Sequence, residues 1–257
     1  HSYDTSSLHT IVVGGSAMPA SMIDAYEKDF GIKVLCLWGM TETSPVATIS
    51  RLRAGMSDLS PSDQLKVRAK QGIPLPGLEI GIRGDGNEVL DWDSEQVGEV
   101  VIRGAWITSG YYKDERNLNA LTPDGWFKTG DIAKVDRFGY MEITDRKKDV
   151  IKSRGEWISS VDMENLIVQH TDVLEACVVG RPDANRDEAP VAFVVLSNER
   201  PHEAMIEEII VLLGTHFASW QLPRRGDFHF VEALPKTSVG KLDKKVLRAR
   251  LEAGLSE

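Results

Sequence analysis

The segment Leu8–Gly15, with the sequence LHTIVVGG, decides the fold class. Its aliphatic run predicts a short buried strand that ends at two glycines, and Pro19 stands where the first turn of a helix begins. The predicted helix carries four apolar residues on one face: Met22, Ile23, Tyr26 and Phe30. Gly31 ends this helix, and Lys33–Leu37 (KVLCL) has the pattern of a second strand. A strand, a helix and a strand in this order indicate an α/β unit.

After this α/β unit the pattern of polar and apolar residues changes. Residues 51–70 are polar, and Ser60 and Pro61 predict a short exposed helix within a connection. From Gly72 to about Asp145, short segments of alternating polarity are separated by turns such as GDGNE and DRFG. This part of the chain therefore predicts a small antiparallel β-barrel or sheet.

A second change follows Arg146. The sequence predicts a helix from about Ser160 to His170, strands at EACVVG and VAFVVL, a helix near Glu203–Trp220 and a further helix after it. These elements suit a packed α+β layer. We therefore predict two domains, residues 1–145 (α/β unit, then β-barrel) and residues 146–257 (small α+β domain).

Composition narrows the class of protein. With 257 residues and 42% hydrophobic side chains the chain can bury a substantial core. A net charge of -9 repels phosphate polymers, which argues against nucleic acid as a partner. Cys36 and Cys177 lie in apolar stretches without other ligands nearby, which predicts buried, reduced thiols. The absence of a signal-peptide pattern and of a membrane-spanning apolar run predicts a cytoplasmic protein.

Two segments of the α/β unit carry residue types that suit a ligand site, GGSAMP at Gly14–Pro19 and WGMTETSP at Trp38–Pro45. A glycine pair lets the backbone lie against a flat ring because no Cβ intervenes, but it is equally consistent with a plain turn. Thr41 and Glu42 follow a predicted strand, where α/β sheets place ligands. A hydroxyl beside a carboxylate suits Mg²⁺ and phosphate oxygens, and the alternative is a solvated turn.

Three further segments are GWFKTGD at Gly125–Asp131, DRKKDVIKSRGEW at Asp145–Trp157 and PKTSVGK at Pro235–Lys241. The Asp131 carboxylate suits the two vicinal hydroxyls of a ribose, although Thr-Gly-Asp is also an ordinary turn. PKTSVGK is not a P-loop, because Pro235 stands where that motif needs glycine. As the start of a basic helix, this segment would leave three lysines solvated: Lys241, Lys244 and Lys245.

Taken together and in this order, WGMTE, TGD, DRKKD and PKTSVGK resemble core motifs of the adenylate-forming superfamily of acyl-CoA synthetases, luciferases and peptide-synthetase adenylation domains. The chain most resembles the C-terminal half of medium- and long-chain fatty acid–CoA ligases. The resemblance implies that residues 1–145 end the large AMP-binding domain and that residues 146–257 form the small, mobile C-terminal domain. It also implies that the family's phosphate loop is missing, which predicts an inactive chain.

The resemblance implies a role for each matching residue. The lining of the adenine and acyl pockets is expected from Gly14, Gly15, Ser16, Trp38, Gly39 and Met40. Thr41 and Glu42 would contact the phosphates during catalysis, with Glu42 also a Mg²⁺ ligand, while Asp131 and Arg146 would clamp the ribose. Lys148 matches the hinge, Lys241 matches the catalytic lysine, and three residues match the loop along the coenzyme A channel: Gly155, Glu156 and Trp157.

One position departs from the family, which usually has two glycines where this chain has Arg154 and Gly155. A positive φ at Arg154 would strain the backbone, and a contact with a coenzyme A phosphate is the alternative.

The implied substrates and cofactors are a fatty or other carboxylic acid, ATP, Mg²⁺ and coenzyme A. We expect the face on which the missing half of the large domain would dock to be apolar, which favours self-association. Contact with a membrane surface is a further possible interaction. Two rival interpretations are an adenylation domain that loads a carrier protein and a non-catalytic module that binds nucleotide or coenzyme A. Formation of acyl-CoA from free coenzyme A separates a synthetase from a carrier-loading domain.

Overall fold

The computed structural model describes residues 3–15, 18–238, 240 and 242–254. The chain divides into two units, His1–Ile143 and Thr144–Glu257. Both mix helices with sheets, so the predicted combination of α/β and α+β structure is confirmed.

The first sheet of the first unit is built on the predicted strand, helix and strand. Strands β1 (Thr10–Val13) and β2 (Lys33–Trp38) are parallel and are connected by helix α1 (Ala20–Phe30). Two short antiparallel strands follow, β3 (Thr48–Ile49) and β4 (Ile73–Pro74), giving the order β1-β2-β3-β4. The connection contains the predicted exposed helix α2 (Pro61–Ala69), whose cap Ser60 accepts a hydrogen bond from the Asp63 amide.

The interior of this first sheet differs from the prediction. Strand β1 alternates between exposed and half-buried residues, with Val12 57% exposed, so the prediction of a buried strand was wrong. Of the four apolar residues predicted on one helix face, only Ile23 is buried, while Met22 and Phe30 are exposed. The reason is that β1 pairs with β2 alone among the described strands, so its other edge has no neighbour there.

A second sheet has four strands, β5 (Leu78–Arg83), β6 (Gly98–Gly104), β7 (Phe127–Val135) and β8 (Met141–Arg146). The last three residues of β8 belong to the second unit. They lie in the order β5-β6-β7-β8, and β5, β6 and β7 pair antiparallel. A short helix, α3 (Asn117–Ala120), precedes β7. Of the two predicted forms, barrel or sheet, the described strands form a sheet, because its edge strands β5 and β8 do not pair with each other.

The second unit is a sheet with helices on both faces. The chain order is β9 (Ile151–Ser153), β10 (Glu156–Ile158), α4 (Ser160–Ile167), β11 (Val173–Asp183), β12 (Asp187–Leu196), α5 (His202–Leu213), β13 (Phe228–Phe230) and α6 (Lys244–Glu252). The sheet order is β10-β9-β12-β11, and β13 pairs with β12. Helix α5 ends at Leu213, seven residues before the predicted Trp220, and a separate 3-10 turn spans Ser219–Gln221.

Two cores cover the faces of this sheet. Helices α4 and α5 pack on one face through residues such as Met163 and Ile209, and α6 packs on the other through Leu247. The two free cysteines are buried as predicted, Cys36 in the first unit and Cys177 in the second. None of the described helices has the length and apolar character needed to cross a bilayer.

Candidate functional site

A buried hydrogen bond joins two of the predicted motifs. Trp38, the last residue of β2, donates from its indole Nε1 to Asp131 Oδ2 over 2.8 Å. Trp38 is 7% exposed and Asp131 is 4% exposed, and 93 residues of sequence separate them. The folded chain therefore brings WGMTE and TGD together, as a shared ligand site requires.

The TGD motif is a bulge within a strand, not the ordinary turn weighed from the sequence. Across β6 and β7, Glu99 pairs with Ile132 and Val101 pairs with Lys128, so three residues of β7 oppose Val100 alone. Gly130, the middle residue, has φ +73°, a conformation that glycine adopts without strain. The Thr129 hydroxyl donates to the Val100 carbonyl and accepts from the Asp131 amide. A bulge of this kind redirects a side chain, here Asp131 towards Trp38.

The WGMTETSP loop is held by one buried threonine. The Thr43 hydroxyl accepts from the Met40 amide over 2.9 Å and lies within hydrogen-bonding distance of the Met40 and Pro45 carbonyls. Gly39 lies where a Cβ would come within 1.9 Å of the Pro45 carbonyl oxygen. The close approach of the returning backbone therefore explains the glycine, and Met40 packs against the core of the second sheet.

Glu42 is oriented by a residue that the sequence analysis missed. Thr41 is exposed at the start of a 3-10 turn, and the half-buried Glu42 accepts a hydrogen bond at Oε1 from the Tyr111 hydroxyl over 2.7 Å. Burial of the Tyr111 hydroxyl, together with its hydrogen bond to the carboxylate, raises its pKa, which keeps it a donor at neutral pH. The Arg116 guanidinium covers the Tyr111 ring at 4.3 Å. The only hint in the sequence was an aromatic pair after Gly110, which by itself predicts nothing.

The glycine pair after β1 is exposed. Gly15 has φ +86°, and a Cβ at Gly14 would make only ordinary contact with Leu37, at 3.7 Å. The third residue of this segment, Ser16, lies outside the described residues.

The basic segment of the second unit is a turn between β8 and β9. Arg146 ends β8, and its carbonyl accepts hydrogen bonds from the Asp149 and Val150 amides over 2.8 Å each. Lys148 is exposed in the middle of this turn. Of the two proposed ribose contacts, Asp131 lies in the first unit and Arg146 lies in the second.

Strands β9 and β10 form a hairpin with a two-residue turn, Arg154 and Gly155, because Ser153 pairs with Glu156. Both turn residues have positive φ, +53° and +79°, the combination typical of a type I′ turn. Arg154 therefore occupies the conformation in which an L-residue is strained, and its guanidinium lies 5.5 Å from the centre of the Trp220 ring.

The two residues after this turn have separate contacts. Trp157 is half-buried, with Lys152 Nζ 5.2 Å from its ring centre. Glu156 is exposed and accepts from the Gln221 side chain.

The segment PKTSVGK belongs to a loop that closes on itself. The Asp243 amide donates to the Pro235 carbonyl over 2.8 Å, and Lys236 pairs with Leu242 in an antiparallel bridge. The predicted catalytic lysine, Lys241, lies outside the described residues. We call residues 235–243 the closing loop, and α6 begins directly after it.

Lys244, predicted to be solvated, is mostly shielded from solvent. Its side chain is 11% exposed, and Nζ lies 2.8 Å from Glu164 Oε1 and 2.5 Å from Ser160 Oγ. That prediction was wrong, whereas the neighbouring Lys245 is exposed as expected. The missed indication is helical spacing, because Lys244 lies three and seven residues before Leu247 and Leu251, which pack into the core.

Comparison with known proteins identifies the family. One family model, AMP-binding enzyme, matches residues 1–112, and a second, AMP-binding enzyme C-terminal domain, matches residues 162–241. The chain belongs to the AMP-binding enzyme family. The resemblance drawn from the motifs is confirmed.

Relatives of this chain include several acyl-CoA ligases. It is 44% identical over 242 residues to a long-chain-fatty-acid–CoA ligase from Thermus thermophilus, covering 94% of this chain and 44% of the relative. It is 40% identical to a 3-methylmercaptopropionyl-CoA ligase from Ruegeria pomeroyi, with the same coverage of both chains. Among solved structures, an anthranilate CoA ligase in complex with anthranoyl-AMP matches with a TM-score of 0.79 and 29% identity, covering 98% of this chain and 46% of that one. The chain thus spans less than half the length of these proteins.

Proposed function

We propose that this chain is part of an AMP-forming acyl-CoA synthetase, which activates a fatty acid with ATP and transfers the acyl group to coenzyme A. The observation that carries the proposal is the buried hydrogen bond from Trp38 to Asp131, because it joins the two motifs that we propose to bind nucleotide. The Thermus thermophilus relative, a long-chain ligase, supports a fatty acid as the acid substrate.

In the proposed reaction the carboxylate of the acid attacks the α-phosphate of ATP, which gives an acyl adenylate and releases pyrophosphate. Coenzyme A then attacks the acyl carbon through its sulfur and displaces AMP. Asp131, oriented by the Trp38 indole, is proposed to accept hydrogen bonds from the ribose hydroxyls. Lys241 is proposed to place an ammonium between the attacking carboxylate and the α-phosphate, two groups that otherwise repel each other.

The acidic residue of the WGMTETSP loop fits a Mg²⁺ ion that is bound mainly by nucleotide phosphates. Such an ion takes one or two carboxylates and fills its remaining positions with phosphate and water oxygens. Glu42 supplies one carboxylate, and its orientation is fixed through Tyr111. No group of three or more potential ligands, His, Cys, Asp or Glu, occurs among the described residues, so the protein contributes few ligands in this proposal. The ion would neutralise phosphate charge.

In the second unit we propose Arg146 as a ribose contact, Lys148 as the hinge and the hairpin Gly155–Trp157 as the coenzyme A contact. The supporting observations are that Arg146 and Lys148 are exposed on one turn and that the hairpin tip is exposed. We also propose that the domain boundary follows residue 145, directly before Arg146 of this turn. Buried free thiols in both units are consistent with a reducing cytoplasm.

The exposed apolar residues of the first unit support association with another protein surface. Tyr3 is 80% exposed, and Val12, Met22 and Phe30 are each about half exposed or more. Exposed apolar surface of this kind often marks interaction sites, so we propose that these residues are covered in the working protein, by the same chain extended or by a second copy.

The test is an assay of a full-length protein that contains this chain, with ATP, Mg²⁺, coenzyme A and fatty acids of graded length. We expect acyl-CoA and AMP in equal amounts, and no turnover from the 257-residue chain alone. Asp131→Asn should raise the KM for ATP by at least about tenfold, since a good hydrogen bond to a charged group contributes roughly 1.5–3 kcal/mol. Asp124→Asn is the control, because that exposed carboxylate pairs with Arg83 and is not one of the proposed site residues.

Two results would contradict the proposal. Acyl transfer to a carrier protein but not to free coenzyme A would make the chain part of a carrier-loading enzyme. Absence of AMP formation with every acid tested would leave a binding module.

A further inference from the structure

Helix α6 is connected to the turn between β8 and β9 by two separate sets of polar contacts. The turn comprises residues 145–149, and it contains Arg146 and Lys148. We name it the basic turn. Both contacts come from one face of α6, through Lys244 and Arg248, which are four residues apart and therefore adjacent on the helix surface.

The first contact is a relay of buried groups. Lys244 Nζ approaches Ser160 Oγ at 2.5 Å, and Ser160 donates from both its hydroxyl and its amide to Asp145 Oδ2, over 2.6 and 2.7 Å. Ser160 and Asp145 are 0% and 2% exposed. Because the ammonium can only donate, it occupies a lone pair of the serine oxygen, and the serine proton is then directed to Asp145.

A carboxylate that is mostly shielded from solvent completes the surroundings of this ammonium. Glu164 Oε1 lies 2.8 Å from Lys244 Nζ and also accepts from the Val178 amide. Burial lowers the pKa of Lys244, but the carboxylates of Glu164 and Asp145 outweigh that effect, and its pKa is raised. Lys244 is thus a charged group with a hydroxyl and a carboxylate as partners, the condition under which a lysine shielded from solvent is tolerated.

The second contact holds the other end of the same turn. Arg248 donates to Asp149 Oδ1 over 2.6 Å, one helical turn after Lys244. Within the basic turn, the Asp149 and Val150 amides donate to the Arg146 carbonyl. The turn is therefore fixed at Asp145 and at Asp149, and its exposed centre lies between two anchored ends.

We propose that Lys244 is a positioning residue, which fixes the basic turn to the helix that follows the closing loop. The consequence is that Arg146 and helix α6 keep one relative placement within the second unit. That this matters for catalysis rests on the proposed function, whereas the positioning itself can be tested on the 257-residue chain.

The test uses trypsin, because the basic turn offers three exposed cleavage sites, after Arg146, Lys147 and Lys148. Cleavage of a folded protein requires local opening, and loss of a hydrogen bond to a charged group makes opening easier. We expect Lys244→Met to increase the cleavage rate in the turn at least about tenfold. Lys245→Met is the matched control, an exposed lysine one residue away, and should leave the rate unchanged.

Two additional variants separate positioning from general destabilisation. Ser160→Ala interrupts the relay but leaves the Lys244–Glu164 ion pair, so it should also accelerate cleavage, and it serves if Lys244→Met fails to fold. The double variant that combines Lys244→Met with Ser160→Ala should be cleaved no faster than the faster of the two single variants, because both changes interrupt the same relay. Leu247→Ala removes a core contact of α6, and it should accelerate cleavage at all sites together rather than in the turn selectively.

The proposal is overturned if cleavage in the basic turn is unchanged in both Lys244→Met and Ser160→Ala. It is also overturned if Leu247→Ala, compared at equal stability to urea, shows the same selective cleavage. Neither outcome depends on whether the full-length protein makes acyl-CoA.

Discussion

Two loops that carry proposed ligand residues contain a glycine for opposite reasons. In the first unit, Gly39 is required because the Pro45 carbonyl returns to within 1.9 Å of where its Cβ would lie. In the hairpin of the second unit, Gly155 has no atom within 4 Å of that position but has φ +79°. One loop is packed against its own backbone, and the other is an exposed turn. Glycines in two motifs of one family thus serve close packing in one case and backbone conformation in the other.

The largest effect is expected from Gly39→Ala. The added methyl group would collide with backbone atoms that cannot move without breaking the Thr43 contacts, so we expect a loss of about 3 kcal/mol or more in the unfolding free energy of the first unit. Gly14→Ala is the control, because its Cβ would have room, and the change should stay within about 0.5 kcal/mol. Urea denaturation measures both. Equal stabilities would show that the loop is not closely packed.

A smaller effect is expected from Asp131→Ala, which removes the acceptor beneath the packed loop. The buried Trp38 indole N–H would lose its partner, and an unsatisfied buried donor costs roughly 1–3 kcal/mol. Asp131→Asn keeps an acceptor oxygen and should lose less than Asp131→Ala. If the two variants were equally unstable, the charge of Asp131 and not its hydrogen bond would be what the first unit requires.

The smallest effect is expected from Gly155→Ala in the exposed hairpin. An L-residue in the left-handed conformation costs roughly 1–2 kcal/mol, without any collision to add to it. Arg154→Gly, which restores the usual glycine pair, should change stability by less than about 1 kcal/mol, because relief of strain is offset by the greater freedom of glycine in the unfolded chain. Chemical denaturation of the second unit tests this, and a loss as large as that of Gly39→Ala would remove the contrast between the loops.

Much of the fold was predictable because it depends on local pattern. The order of helices and strands follows from periodicity, and Ser60 caps α2 as its position in the sequence indicates. The exposure of β1 was not predictable, because an aliphatic run indicates only a tendency to be buried, whereas actual burial depends on which neighbours pack against the strand.

The proposed site shows the same division between local and tertiary information. Motif spacing identified Trp38 and Asp131, but their hydrogen bond crosses 93 residues and depends on a bulge that looked like a turn. The prediction for Lys244 was wrong because a charged side chain usually lies in solvent, while its partners Ser160 and Glu164 lie about 80 residues earlier in the chain. Which side chains contact each other is therefore decided by the tertiary fold. The sequence indicates only which residues are candidates for a site.

The placement of one buried thiol in each unit has a practical consequence. Burial raises the pKa of Cys36, and it raises that of Cys177 to about 12, so both thiols are unreactive while their unit is folded. A pulse of a thiol reagent at neutral pH would then label Cys36 only when the first unit opens and Cys177 only when the second opens. The protein contains its own pair of independent reporters, and peptide mapping of the labelled cysteine reads each unit's opening rate without any introduced probe.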